Sequence, residues 1–216
     1  MLAWLKISAT VTALSLLGAG TAWANPLNTG VDASGALLTP GTVDPFWTGV
    51  DVTVLPTDVP AYAVSGYEGA WLTQPNAQFL SPNELNGQAD NYPSATPSFI
   101  NWSQTFTLSA NGAASDILGA FEVDNQLLGI IINGTTLSVS GGGFQFLTDF
   151  VIPQADLLVG ANTITFETEN YANLFGNPTG LLVEFTQVPE PAGLAVFGAG
   201  LMVLAASRRR APLPFG

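Results

Sequence analysis

Apolar and polar residues alternate with a period of two through the middle of the chain, and no stretch there sustains a helical period. Val50, Val52 and Val54 alternate with Asp51 and Thr53, which predicts a strand with one buried face. Phe106 and Leu108 alternate with Thr105 and Thr107, and residues 118–123 form another apolar run that ends at Asp124 and Asn125. Ile130, Ile131 and Ile132 run into Asn133-Gly134, followed by Thr135, Thr136 and Leu137. An Asn-Gly pair between β-rich runs predicts a tight hairpin, because both residues accept the positive φ of a type I′ turn. Residues 144–152, 163–168 and 181–185 predict three further strands. In these, Ile164 and Phe166 face away from Thr165 and Glu167, and Leu181, Val183 and Phe185 repeat the pattern. Residues 56–97 are dense in Pro, Gly and Asn, with Trp71, Phe79 and Tyr92 among them, and predict loop with short strands. Residues 25–45 show little periodicity. About seven or eight short strands without a helix predict one all-β domain, a sandwich or jelly roll.

Two apolar segments depart from this pattern. Met1 to Lys6 supplies a short positive start, residues 7–20 an apolar stretch, and Ala22-Trp23-Ala24 a small-x-small cleavage site. This predicts a signal peptide over residues 1–24, removed by signal peptidase, with Asn25 as the first mature residue. Towards the other end, Val188-Pro189-Glu190-Pro191 precedes the apolar run 192–206 and then Arg208, Arg209 and Arg210. Some fifteen helical residues reach roughly 22–24 Å, less than the ~30 Å hydrocarbon core, so a helix over residues 192–207 anchors only weakly. Positive charge is retained on the cytoplasmic side, which leaves everything before Pro189 outside. An ordinary single-pass anchor would share the apolar run and the arginines. The Pro-Glu-Pro step, the apolar helix and the basic cluster, in that order, resemble the PEP-CTERM sorting signal of Gram-negative bacteria, which a membrane-embedded exosortase recognises and cuts. The resemblance implies export, transient inner-membrane anchoring over residues 188–216, and delivery to the cell surface or extracellular matrix in a system that accompanies exopolysaccharide production and biofilm formation.

Setting these segments aside changes the electrostatics of what is left. All four basic residues, Lys6 and the three arginines, lie within them, and between Asn25 and Val188 stand fifteen Asp and Glu residues with no Lys, Arg, His or Cys. Phosphate contacts need Lys or Arg, so binding to nucleic acid or anionic lipid is disfavoured. Without disulfides the domain over residues 25–187 must hold together by its core. Unpaired carboxylates repel, and calcium is the natural relief where several of their oxygens converge; for any single carboxylate a solvated acidic surface is the simpler reading.

Four runs carry a second resemblance: Ala120-Phe121-Glu122-Val123-Asp124-Asn125, Ile131-Ile132-Asn133-Gly134, residues 144–150, and Leu158-Val159-Gly160-Ala161-Asn162-Thr163-Ile164. Together they resemble the galactose-binding-like jelly rolls, seen as accessory domains of β-galactosidase-like glycoside hydrolases and in many PEP-CTERM proteins. The resemblance spans residues 102–185, and such jelly rolls bind carbohydrate or serve as spacers. Sugar recognition needs aromatic faces for a pyranose ring and amides or carboxylates for its hydroxyls. The candidates are Trp71, Tyr92, Asp124, Asn125, Asn133 and Tyr171. Trp102 opens a strand pattern and is expected in the core, and Asx residues at strand ends commonly bond their own backbone.

An enzyme here would have to work without His, Cys, Lys or Arg, which removes catalytic triads, Schiff bases and histidine-held metals. Carboxylate chemistry remains, with Glu167 and Glu169 on one strand face and Glu122 or Glu184 nearby, yet outward-facing acids on a sheet explain these equally well. No catalytic role is expected. Two classes stay open: a carbohydrate-binding module for matrix exopolysaccharide, or a structural matrix component, calcium-bridged or not. Replacing Pro189-Glu190-Pro191 by three alanines is expected to leave full-length protein in the inner membrane on immunoblots of fractionated cells; normal processing of that variant would count against the sorting assignment.

Overall fold

A chain whose inward-facing positions are Trp, Phe, Ile, Leu and Val at every second residue can bury them only by laying one sheet on another. The computed structural model describes residues 26–67, 69–90 and 94–187 and shows this arrangement. The expected signal peptide over 1–24, with Ala22, Ala24 and Asn25, lies outside the described residues, as does the expected helix over 192–207. The strands are β1 (Trp47–Asp51), β2 (Thr57–Val59), β3 (Tyr62–Val64), β4 (Phe79–Ser81), β5 (Glu84–Leu85), β6 (Gln88–Ala89), β7 (Ser98–Leu108), β8 (Ile117–Asp124), β9 (Gln126–Ile132), β10 (Thr135–Leu137), β11 (Thr148–Ile152), β12 (Gly160–Asn170) and β13 (Gly180–Gln187). One sheet runs β10-β9-β12-β7-β1-β2 and the other β11-β8-β13-β4-β3, with β5 and β6 forming a separate small hairpin. Among the described residues, helix is confined to two 3-10 turns, Gly112–Ala114 and Gln154–Asp156.

The core lies between the two sheets. Trp47, Trp102, Phe106 and Phe166 from the first meet Phe121, Val123, Phe150, Leu181, Val183 and Phe185 from the second. Phe150 stands edge-on to Phe166 at 5.6 Å and to Phe185 at 5.5 Å between ring centroids, a favoured aromatic geometry. Trp102 is fully buried, as its strand pattern predicts.

The longest strands, β7 and β12, pair along their whole length from Gly160 opposite Leu108 to Asn170 opposite Ser98. The Asn-Gly hairpin is present: Ile132 pairs with Thr135, and Asn133 and Gly134 have φ of 50° and 87°. Two expected strands are shorter than the alternation suggests. β1 stops at Asp51 because the Asp51 carboxylate accepts the Thr53 N–H at 2.8 Å and turns the chain, leaving Val54 86% exposed. β11 starts only at Thr148, because Phe144 leaves the sheet, accepts the Leu72 N–H through its carbonyl and packs with the loop around Trp71.

The antiparallel register gives the sandwich two distinct ends. One gathers the last residue of β7, the first of β8 and β12, and the last of β11 and β13, including Gln187 opposite Leu118. This is the exit end. The other gathers Asp124, Gln126, Asn170 and Gly180, with Asp124 opposite Gly180 and Gln126 opposite Glu169. Eight residues of β13 at about 3.3 Å each separate the two ends by roughly 25 Å.

Phe121 is buried at the centre and contacts both Phe150 and Phe166. Phe121→Ala is expected to cost about 3–5 kcal/mol in denaturant unfolding, a large-to-small change with a cavity left behind; a loss below about 1 kcal/mol would show that the two sheets do not depend on this aromatic cluster.

Candidate functional site

The outer face of the β11-β8-β13-β4-β3 sheet carries acids where a solvated face would be expected. Along β8, Phe121 and Val123 point into the core, so Glu122 and Asp124 project outward, beside Leu182 and Gly180 of β13. Neither acid reaches solvent: Glu122 is 0% and Asp124 4% exposed. They are covered by the segment between β3 and β4, whose apolar residues Trp71 and Ala77 pack with Val64, Phe79, Ala89 and Leu182 in a second, smaller core. Trp71 lies over Phe79 with ring centroids 4.3 Å apart. Gly180 makes room for it, since a Cβ there would sit 2.6 Å from the indole ring and 2.9 Å from the Leu80 carbonyl.

Amides and the indole stand where cations would otherwise be needed. Trp71 donates its Nε1–H to Asp124 Oδ2 at 2.9 Å, and Asn125 donates to Asp124 Oδ1 at 2.6 Å. Gln74 donates to Glu122 Oε1 at 2.9 Å, and Asn76 to Glu184 Oε1 at 2.7 Å. From Asn125 the hydrogen bonds continue to the surface. Its Oδ1 accepts the Tyr171 N–H at 2.7 Å; the Tyr171 hydroxyl donates to Gln126 Oε1 at 2.8 Å, and Gln126 donates to Glu169 Oε2 at 2.7 Å. Thr179 also donates to the Asp124 carbonyl oxygen, and Asn177 to that of Tyr171. At the far end, then, a buried carboxylate orients Asn125, and Asn125 orients the loop that bears Tyr171 (47% exposed) and Phe175 (81% exposed).

Of the residues singled out from sequence, Trp71, Asp124, Asn125 and Tyr171 come together here. Trp71 is no open platform: it is 4% exposed and faces inward. Tyr92 lies outside the described residues. Asn133 is at the other end of β9, whose seven residues separate it from Asn125 by roughly 20 Å or more. There its side chain bonds Asn162, the Asp156 carbonyl and the Thr163 N–H, which is turn construction. Sequence reasoning did not single out Gln74, Gln126 or Phe175 for this site. The signal available was the need of each sheet-face acid for a neutral donor. Glu167 and Glu169 stand on the outer face of the other sheet, across the sandwich from Glu122, so these acids do not flank a common cleft. Among the described residues no three carboxylates gather as a calcium cage requires.

The chain's place among known proteins rests on its end rather than on this domain. Residues 187–210 carry the PEP-CTERM protein-sorting motif. It includes Pro189, Glu190, Pro191 and the three arginines Arg208, Arg209 and Arg210. The PEP-CTERM motif makes the chain an exported protein that an exosortase processes, held at the membrane transiently beforehand. No curated protein matches the chain by sequence. Among solved structures, a β-glucosidase from Kluyveromyces marxianus is similar at 10% identity and TM-score 0.38, over 72% of this chain and 19% of the enzyme. A GH31 α-xylosidase from Xanthomonas citri is similar at 9% identity and TM-score 0.35, over 67% of this chain and 16% of the enzyme. The chain thus spans less than a fifth of either enzyme, and similarity this low carries nothing about activity.

Burial governs the protonation of the covered acids. It pushes Asp124 up to about 6 from 3.8, against the opposing hydrogen bond from Trp71. Burial raises Glu122 as well, opposed by Gln74, and raises Asp44, opposed by the backbone N–H groups of Phe46, Gly30 and Trp47. A carboxyl group that holds its proton more tightly when folded stabilises the fold fully below its unfolded pKa and loses that contribution as pH rises through the folded value. Between pH 7 and pH 5, Asp124 alone then adds roughly 1–1.5 kcal/mol. The thermal midpoint is expected to be higher at pH 5 than at pH 7, and Glu122→Gln, which removes a charge whose Oε2 has no partner, to raise stability at pH 7 by about 1 kcal/mol. A midpoint that is flat or falls on acidification would exclude this burial effect.

Proposed function

We propose that the protein is a non-catalytic carbohydrate-binding module, built as a galactose-binding-like jelly roll, that meets exopolysaccharide at the cell surface or in the extracellular matrix. From β7 onward the chain passes between the two sheets at nearly every connection, which supports the jelly-roll reading. The observation that carries the functional reading is the far-end array: the Asn125 and Gln126 amides, fixed by Asp124 and Glu169, beside the exposed ring of Tyr171, with Phe175 exposed on the same loop. A pyranose presents an apolar face to an aromatic ring and hydroxyls that both donate and accept to an amide. A pre-set amide also avoids much of the ordering cost of binding.

The burial of Trp71 and Trp102 favours a second reading, in which the domain is a structural matrix component without a specific sugar site. On that reading the acidic surface does the work, bridged by calcium or not.

Native gels that contain the producing bacterium's own exopolysaccharide separate the two, run on the mature secreted protein with calcium and with chelator. Retardation is expected, and Phe175→Ala should reduce it several-fold without moving the unfolding midpoint. Loss of retardation in chelator would add a calcium requirement. Unchanged wild-type mobility in every gel would overturn the carbohydrate reading in favour of the structural one.

A further inference from the structure

We propose that the exit end of the sandwich is a contact face for a zwitterionic phospholipid surface, on which the folded domain rests while the sorting segment holds the chain at the membrane. β13 is an interior strand of its sheet, and its last residue, Gln187, is still paired with Leu118. Val188 alone separates that strand from Pro189. Even fully extended, residues 188–191 span at most about 14 Å, so the apolar run that begins at Ala192 holds the exit end within reach of the headgroups.

What this end presents suits such a surface. Leu158 and Val159 are 54% and 67% exposed, adjacent, on the connection into β12. Two amides hold that connection rigid. Asn162, 1% exposed, accepts the Leu158 N–H at 2.7 Å and donates to the Leu158 and Gly160 carbonyls at 2.8 and 3.0 Å. Asn133 donates to Asn162 Oδ1 and to the Asp156 carbonyl, bracing it from the hairpin side. Two apolar side chains on a fixed loop enter the headgroup boundary without the entropy cost of ordering a mobile one. The first described residues lie at this end too, since the Asn28 side chain accepts the Phe185 N–H. Asp116 and Asp156 flank the loop, and the domain has no Lys or Arg to offset them, so the surface is zwitterionic rather than anionic. In this pose the far-end array points away from the bilayer, roughly 25 Å from the contact.

The chain contains no cysteine, so single labels are clean. Ala161→Cys, beside the loop, and Ala172→Cys, at the far end, are both exposed positions. Each would carry an environment-sensitive dye on the full-length chain reconstituted in phosphatidylcholine vesicles with quencher-bearing acyl chains. Quenching at position 161 is expected to exceed that at 172 several-fold, and to fall to the level of 172 when Leu158 and Val159 are both changed to Ser. Equal quenching at the two positions, or quenching that ignores the Ser substitutions, overturns the proposal. A variant with ten Gly and Ser residues inserted between Gln187 and Val188 tests adhesion against tethering: quenching at 161 that persists supports an adhesive face, and quenching that vanishes overturns it.

Discussion

A carboxylate taken out of water needs either a counter-charge or donors, and this domain has no cationic side chain to offer. Its buried and half-buried acids are therefore answered by neutral donors: the indole of Trp71, the amides of Gln74, Asn76, Asn125 and Gln126, and backbone N–H groups at Asp44. The segment between β3 and β4 lies where it does because three of those donors are on it. Covering the outer face of a sheet is ordinarily an apolar matter; here Trp71 supplies ring area and a hydrogen bond together. The residual imbalance, with Glu122 Oε2 left unpartnered, is why burial and not pairing sets the protonation of this cluster.

The same chain of donors links the small second core to the surface. Asp124 is held by both Trp71 and Asn125, and Asn125 holds the backbone of Tyr171. The backbone of the exposed far-end loop at Tyr171 is thus tied to a buried acid. At the exit end another pair of amides, Asn133 and Asn162, performs the corresponding task for Leu158 and Val159. Neutral hydrogen-bonding side chains shape both ends of a molecule whose net charge is strongly negative.

Antiparallel topology assigns those ends different roles in space. Because β13 runs from the Asp124 level to the Leu118 level and its last residue, Gln187, already belongs to the PEP-CTERM motif, the motif begins at the end of the sandwich opposite the far-end array.

Period-two alternation fixed the strand-rich character of the chain, the inward faces of β12 and β13 and the burial of Trp102, because side-chain direction in a strand is a local property. The Asn133-Gly134 hairpin was legible for the same reason: positive φ at two adjacent residues is written in their identity. The sorting motif too is linear, read as a string by another protein. What alternation could not foresee was Asp51 ending β1 through its own side chain, or Phe144 leaving the sheet to join Trp71. Nor could it distinguish an aromatic platform from an aromatic lid. Trp71 and Asp124 are 53 residues apart, and only the packing of a loop on the outer face of a sheet joins them. Asn133 and Asn125 look alike in sequence, as Asx residues at strand ends, yet one strand length sends them to opposite ends of the molecule. Local identity determined which backbone shapes were allowed; which acid met which donor was decided by tertiary structure, because a hydrogen bond depends on distances of about 3 Å that sequence separation does not encode.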